Sequence, residues 1–108
     1  SHMNAYIRFK VGLTEDNPTI KPYDEKQWAE MNDVQKLPVN ISITILHAVH
    51  ARLYETLKYV KDSDWNNRTI YHPGSKKTMR LWYLLGMYAW HGKHHVAHVT
   101  SLRERMKW

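Results

Sequence analysis

The sequence predicts an all-α fold, and three observations carry that reading. Apolar residues recur three and four apart through two long stretches, roughly residues 41–61 and 78–106, which is the period that stacks side chains on one face of a helix. A shorter stretch from residue 1 to about Leu13 places Tyr6, Phe9 and Leu13 at the same spacing. Alternation of the strand type never runs long enough to compete.

The first helix is already under way at residue 1. A loop follows through Thr14–Pro18 and Lys21–Pro22, and Asp24 then caps a short helix carrying Trp28 and Met31. Pro38 and Asn40 announce the second long helix, on which Ile43, Leu46, His47, His50, Leu53, Tyr54, Leu57 and Val60 share a face. Its early β-branched residues (Ile41, Ile43, Thr44, Ile45) suit a strand, but the pattern after them is too long and regular for one. Residues 62–77 read as a polar connection containing Asn66, Asn67 and the His72-Pro73-Gly74 turn signal. Thr78 is the expected N-cap of the last helix, which extends to about Met106 with Gly92 inside it. A four-helix bundle needs one more long helix than this. Three packed helices, or apolar surface borrowed from a second copy in a homodimer, answer that need.

At 108 residues the chain is a single domain spanning 1–108. No apolar run reaches the roughly 20 residues of a membrane span, and the N-terminus shows no secretory pattern. With no cysteine, any metal must sit on nitrogen and oxygen, a composition that fits the cytoplasm. The net charge of +6 raises the question of nucleic acid. Its lysines and arginines are scattered, however, and no basic stripe or DNA-binding spacing forms, so neither nucleic acid nor membrane is an expected partner. A bias toward small anionic substrates remains.

The most informative feature is a cluster of four histidines within eight residues: His91, His94, His95 and His98. Imidazoles four apart project from one helix face and can grip one divalent ion, which gives two pairs, His91/His95 and His94/His98. His91 and His95 lie on the side that also carries Leu84, Tyr88, His98 and Leu102, while His94 falls about 100° round. The competing reading is a core histidine at 91 with satisfied nitrogens and surface polarity elsewhere. A pair on an apolar face favours metal, and a third histidine would complete a site with open positions, the catalytic pattern. His2, His47, His50 and His72 are the candidates, and spacing does not choose among them. Gly92 stands where a zinc-protease motif has its glutamate, which argues against that type of proteolysis.

Several stretches in order resemble the DinB/YfiT-like superfamily of metal-binding helical bundles. They are Ser1–Lys10, Leu13–Pro18, Lys21–Asp24, Tyr71–Pro73, and Tyr88–His95 with Ala97–His98. The likeness is greatest to the YfiT branch of bacillithiol S-transferase-like and metal-dependent hydrolase-like proteins, and it covers essentially the whole chain. It implies a DinB-like up-and-down four-helix bundle lacking its N-terminal helix here, with three main helices completed by dimerisation. It also implies His2, His91 and His95 as ligands of one divalent ion, zinc or nickel. His94, His98, His50 and Tyr88 are then pocket residues or supports. The sequence Ser1-His2-Met3 also matches what a cloning site leaves behind, so His2 is either native or vector-derived.

The activity the resemblance implies is thiol transfer. A low-molecular-weight thiol of the bacillithiol kind binds the ion as thiolate and attacks an electrophilic small molecule. Arg8, Lys93 and Arg52 are candidates for holding the thiol's carboxylates, and Tyr88 and Trp90 for lining the pocket. The first alternative is hydrolysis by metal-activated water. No carboxylate is convincingly spaced to assist it, since Glu104 lies nine residues beyond His95 and Glu55 is on another helix. A second alternative is a metal-binding scaffold without turnover.

Overall fold

The computed structural model describes residues 1–108 and consists of six helices and one hairpin. Three helices dominate: α1 (His2–Thr14), α4 (Val39–Leu57) and α6 (Leu81–Met106). Between them lie two single-turn helices, α2 (Glu25–Ala29) and α3 (Asn32–Lys36), then α5 (Asp62–Asn67) and strands β1 (Thr69–His72) and β2 (Lys77–Arg80). No helix is long and apolar enough to cross a membrane. The helical class is as expected, and the Asp24 cap forms as read: its carboxylate accepts from the Gln27 backbone N–H at 2.9 Å.

The hairpin is a correction to the polar connection expected at residues 62–77. β1 and β2 pair antiparallel with Ile70 opposite Met79, and these are the two strand residues that are buried. Thr78 lies inside β2, so it does not cap the last helix; α6 starts three residues later at Leu81 with Arg80 in the cap position. Four-residue strands with one inward side chain each leave almost no periodic trace, which is why the connection reads as a loop. Residues 18–20 lie along β1 as well: Tyr71 donates to the Pro18 carbonyl at 2.9 Å and Ile20 donates to the Tyr71 carbonyl at 3.0 Å.

The core sits at one end of the molecule. Phe9, Ile20, Ile70, Met79, Leu81 and Leu84 are buried together, with Leu53, Leu57, Trp65 and Tyr88 packed against them. The fully buried residues of α1 are Ala5, Phe9 and Gly12. Of the expected face, Phe9 is buried and Leu13 packs partly buried against the core, while Tyr6 does not join it, and Gly12 lies closest to the hairpin and α6. α1 and α4 point the same way, with His2 beside His50 at one end and Leu57 near the Phe9 core at the other. α6 runs opposite, from the core at Leu84 out to the histidines. Parallel neighbours need a long return, and residues 15–38 supply it by running back along α1.

Only 9 of the 108 residues are buried, none of them on α4. Ile41, Ile43, Ile45 and Leu46 of α4, and Trp90, Val96 and Val99 of α6, all face outward. A bundle face this apolar is one that another element covers.

Gly12 makes the close approach possible. A Cβ there would stand 2.8 Å from Leu81 Cδ2 and 3.0 Å from Ile70 Cγ2, both on fully buried side chains. Alanine gains about 1 kcal/mol of helix propensity, whereas overpacking costs about 1–3 kcal/mol. Gly12→Ala is therefore expected to be neutral to destabilising, by up to about 2 kcal/mol. Gly86→Ala meets nothing within 4 Å and is expected to stabilise by about 1 kcal/mol. Urea denaturation of both variants checks the contrast.

Candidate metal centre

Away from the core, the first turn of α1, the middle of α4 and the second half of α6 enclose an open groove of about 830 Å³. Its lining includes Ser1, His2, Leu46, His50, His91, Lys93, His95 and Thr100. Four imidazoles thus come from three helices that are far apart in sequence.

The α6 pair is the best-formed element. His91 and His95 bring their Nε2 atoms to 2.9 Å, with ring centroids 4.5 Å apart. At that distance one neutral ring donates and the other accepts, so the pair holds one proton between two lone pairs. Two nitrogens bound about 2.1 Å from a shared ion stand about 3.0 Å apart at a right angle and about 3.4 Å apart at the tetrahedral angle. The observed spacing already suits a metal in place of the shared proton. The donor set, neutral nitrogen without thiolate, suits zinc, nickel and other borderline cations.

His2 lines the same groove, and its ring leans on His50 with centroids 4.9 Å apart. No three histidine, aspartate or glutamate side chains are grouped tightly enough to hold an ion as they stand. Burial, and after it the His50 ring, hold the His2 imidazole below its ordinary value. For His91 the causes are burial and then the His95 ring. Both shifts favour the neutral form that can ligate.

The remaining candidates are distributed as follows. His50 shares the groove. His94 and His98 are exposed on α6 and do not line it. Tyr88 is outside the groove: its ring packs on Phe9 at 6.1 Å and its hydroxyl accepts from Arg8 at 2.8 Å. Arg8 also donates to the Lys21 carbonyl at 3.2 Å, which occupies it structurally. Arg52 and Trp90 are likewise outside, so Lys93 is the one expected substrate cation that lines the groove. His47 is exposed on α4. His72 belongs to the hairpin turn, where its Nδ1 accepts from the Ser75 backbone N–H at 3.2 Å.

Glu25 was not among the sequence candidates. It opens α2 close enough for its charge to act on His91. Its only sequence signal is an acid in the first turn behind the Asp24 cap, which ordinarily indicates helix stability.

A family model for the DinB superfamily matches residues 1–99. A protein of Bacillus mycoides strain KBAB4, provisionally named a metal-dependent hydrolase, is 52% identical over 108 residues. A protein of Bacillus cereus strain AH820 with the same provisional name is 51% identical. Each alignment takes in 100% of this chain and 61% of the relative, so the chain spans about three fifths of the length of the curated relatives it matches. Among solved structures, YfiT from Bacillus subtilis superposes with a TM-score of 0.92 at 44% identity, over 99% of this chain and 61% of that one. It is described provisionally as a metal-dependent hydrolase with an unusual four-helix bundle topology.

The lowered values of His2 and His91 give a pH dependence in the metal-free protein. The unfolded chain binds more protons between the folded values and the ordinary 6.5. Stability is therefore complete above that ordinary value and is lost as pH falls through the folded values. Thermal melts of chelator-treated protein from about pH 8 to about pH 5 are expected to fall on the acid side. A smaller fall in His91→Gln would assign part of it to this site, and a flat profile in the parent would overturn the assignment.

Proposed function

Because the chain belongs to the DinB superfamily, we propose that it is the metal-holding part of an enzyme that uses one divalent ion, zinc or nickel, to activate a small nucleophile. The observation that carries this reading is the His91/His95 pair, spaced 2.9 Å apart in a groove that His2 also lines. His91 and His95 form the standing half of the ligand set. His2, which lines the same groove beside His50, would complete the set, with His50 as its neighbour.

When bound, the ion supplies Lewis acidity, lowering the pKa of a water or a thiol that reaches it. The chain's own residues do the rest. Neutral imidazoles hold the ion without cancelling its charge. Leu46 and Val96 give the groove apolar lining, and the Lys93 ammonium meets a carboxylate on the incoming molecule.

Two nucleophiles fit this description. Water gives hydrolysis, and the provisional names of the relatives support it. A low-molecular-weight thiol of the bacillithiol kind gives transfer of sulfur to an electrophilic carbon. A thiol fits the groove lining, which carries no carboxylate of its own, since a metal-held thiol needs no general base; for water, Glu25, whose charge reaches His91, is the candidate base.

Metal content of the parent and of His95→Ala tests the site. The parent is expected to carry close to one ion per chain. Losing one chelating imidazole is expected to weaken binding by roughly a hundredfold. Equal metal content in the two proteins would remove the site. With metal loaded, product formation that requires added thiol supports transfer, and turnover in its absence supports hydrolysis. Bound metal with neither activity would leave a metal-binding scaffold.

The proposal extends to assembly: a second copy covers the outward apolar residues of α4 and α6, forming a homodimer. Sedimentation is expected to give a dimer that Ile43→Glu, an exposed position of α4 outside the groove, weakens. A monomer at every concentration would overturn it.

A further inference from the structure

We propose that α6 carries a second metal site, made by His94 and His98 on the surface beside the groove, for a borderline divalent cation such as copper, nickel or zinc. Nothing in the proposed activity uses this pair. The two rings have centroids 4.4 Å apart at an interplanar angle of 67°. The His91/His95 pair gives 4.5 Å and 66°. The two pairs share one ring arrangement, because four-residue spacing repeats the same side-chain relation about one turn apart wherever it occurs, although only in the His91/His95 pair do the ring nitrogens already stand within hydrogen-bond distance.

Three further observations support ligation there. Neither ring is engaged in a hydrogen bond or an ion pair, whereas His91 and His95 are bonded to each other. Both residues are exposed, so an ion gripped by two nitrogens keeps water on its remaining positions, and the His98 ring turns toward it at little cost. Trp90 stacks on His94 with centroids 4.7 Å apart and an interplanar angle of 16°. Stacking uses the face of the imidazole, while its lone pair lies in the ring plane. The indole therefore fixes His94 without occupying its donor nitrogen.

The pairs remain two sites rather than one four-histidine cage. Distances across them, 5.8 Å for His94–His95 and 5.6 Å for His95–His98, exceed those within each pair. Two ligands and an open surface make the second site the weaker one, ordered in affinity as copper above nickel and zinc.

Nickel titration by calorimetry, with the metal alone as probe, separates the two sites. The parent is expected to show a tighter and a weaker class. His98→Ala, an exposed change to a good helix former, is expected to weaken the second class by roughly tenfold to a hundredfold and leave the first. The double variant His91→Ala/His95→Ala is expected to lose the first class and keep the second. Copper added to that double variant is expected to quench fluorescence through Trp90, an effect that Trp90→Phe or His94→Ala removes. Weak-class binding unchanged in His98→Ala, or quenching indifferent to Trp90, would overturn the second site. Loss of the tight class alone would count only against the catalytic centre.

Discussion

The close packing of α1 against the hairpin and the start of α6 is the constraint on which the rest of the molecule depends. Gly12 leaves room for Leu81 and Ile70, and Phe9 packs in the same buried cluster. Leu81 is the first residue of α6, so its contact with α1 sets the position and direction from which a 26-residue helix departs. A helix that long carries the consequences of its first turn some 30 Å or more along its axis. Whether His91 and His95 face His2 is settled at the opposite end of the structure.

That arrangement divides the molecule into a buried end that supplies stability and an open end that gathers the histidines. Burial at the core is hydrophobic, and no charged or polar residue is fully buried. At the open end, imidazoles stand close to one another and partly out of water. Burial first, and after it the neighbouring imidazoles, lower the values of His2 and His91 and so favour their neutral forms. Neutral nitrogen is the form a divalent cation requires, so the electrostatic cost of crowding histidines becomes readiness for metal.

The outward apolar residues of α4 and α6 place the groove beside a surface that water does not favour. Any element that covers that surface would lower the dielectric around the histidines and strengthen every charge interaction there. The chain matches 61% of YfiT, and three long helices stand here where that protein is described as a four-helix bundle. Helical packing alone thus accounts for the site's position, while its enclosure depends on what lies against α4 and α6.

The sequence by itself determined the helical class, the Asp24 cap and the two histidine pairs of α6. Each is a local matter: a period of three to four residues, a side chain reaching its own helix terminus, imidazoles one turn apart. It also carried the resemblance that singled out His2. The hairpin escaped it, because Ile70 and Met79 are single inward residues on very short strands whose partners are distant in the chain. Tyr88 and Arg8 escaped for the same reason: their roles come from each other, across 80 residues. Glu25 near His91, the shared direction of α1 and α4, and the meeting of His2, His50 and His91 at one groove were decided by tertiary structure. Periodicity reports which face of an element is apolar, and only packing decides what that face meets.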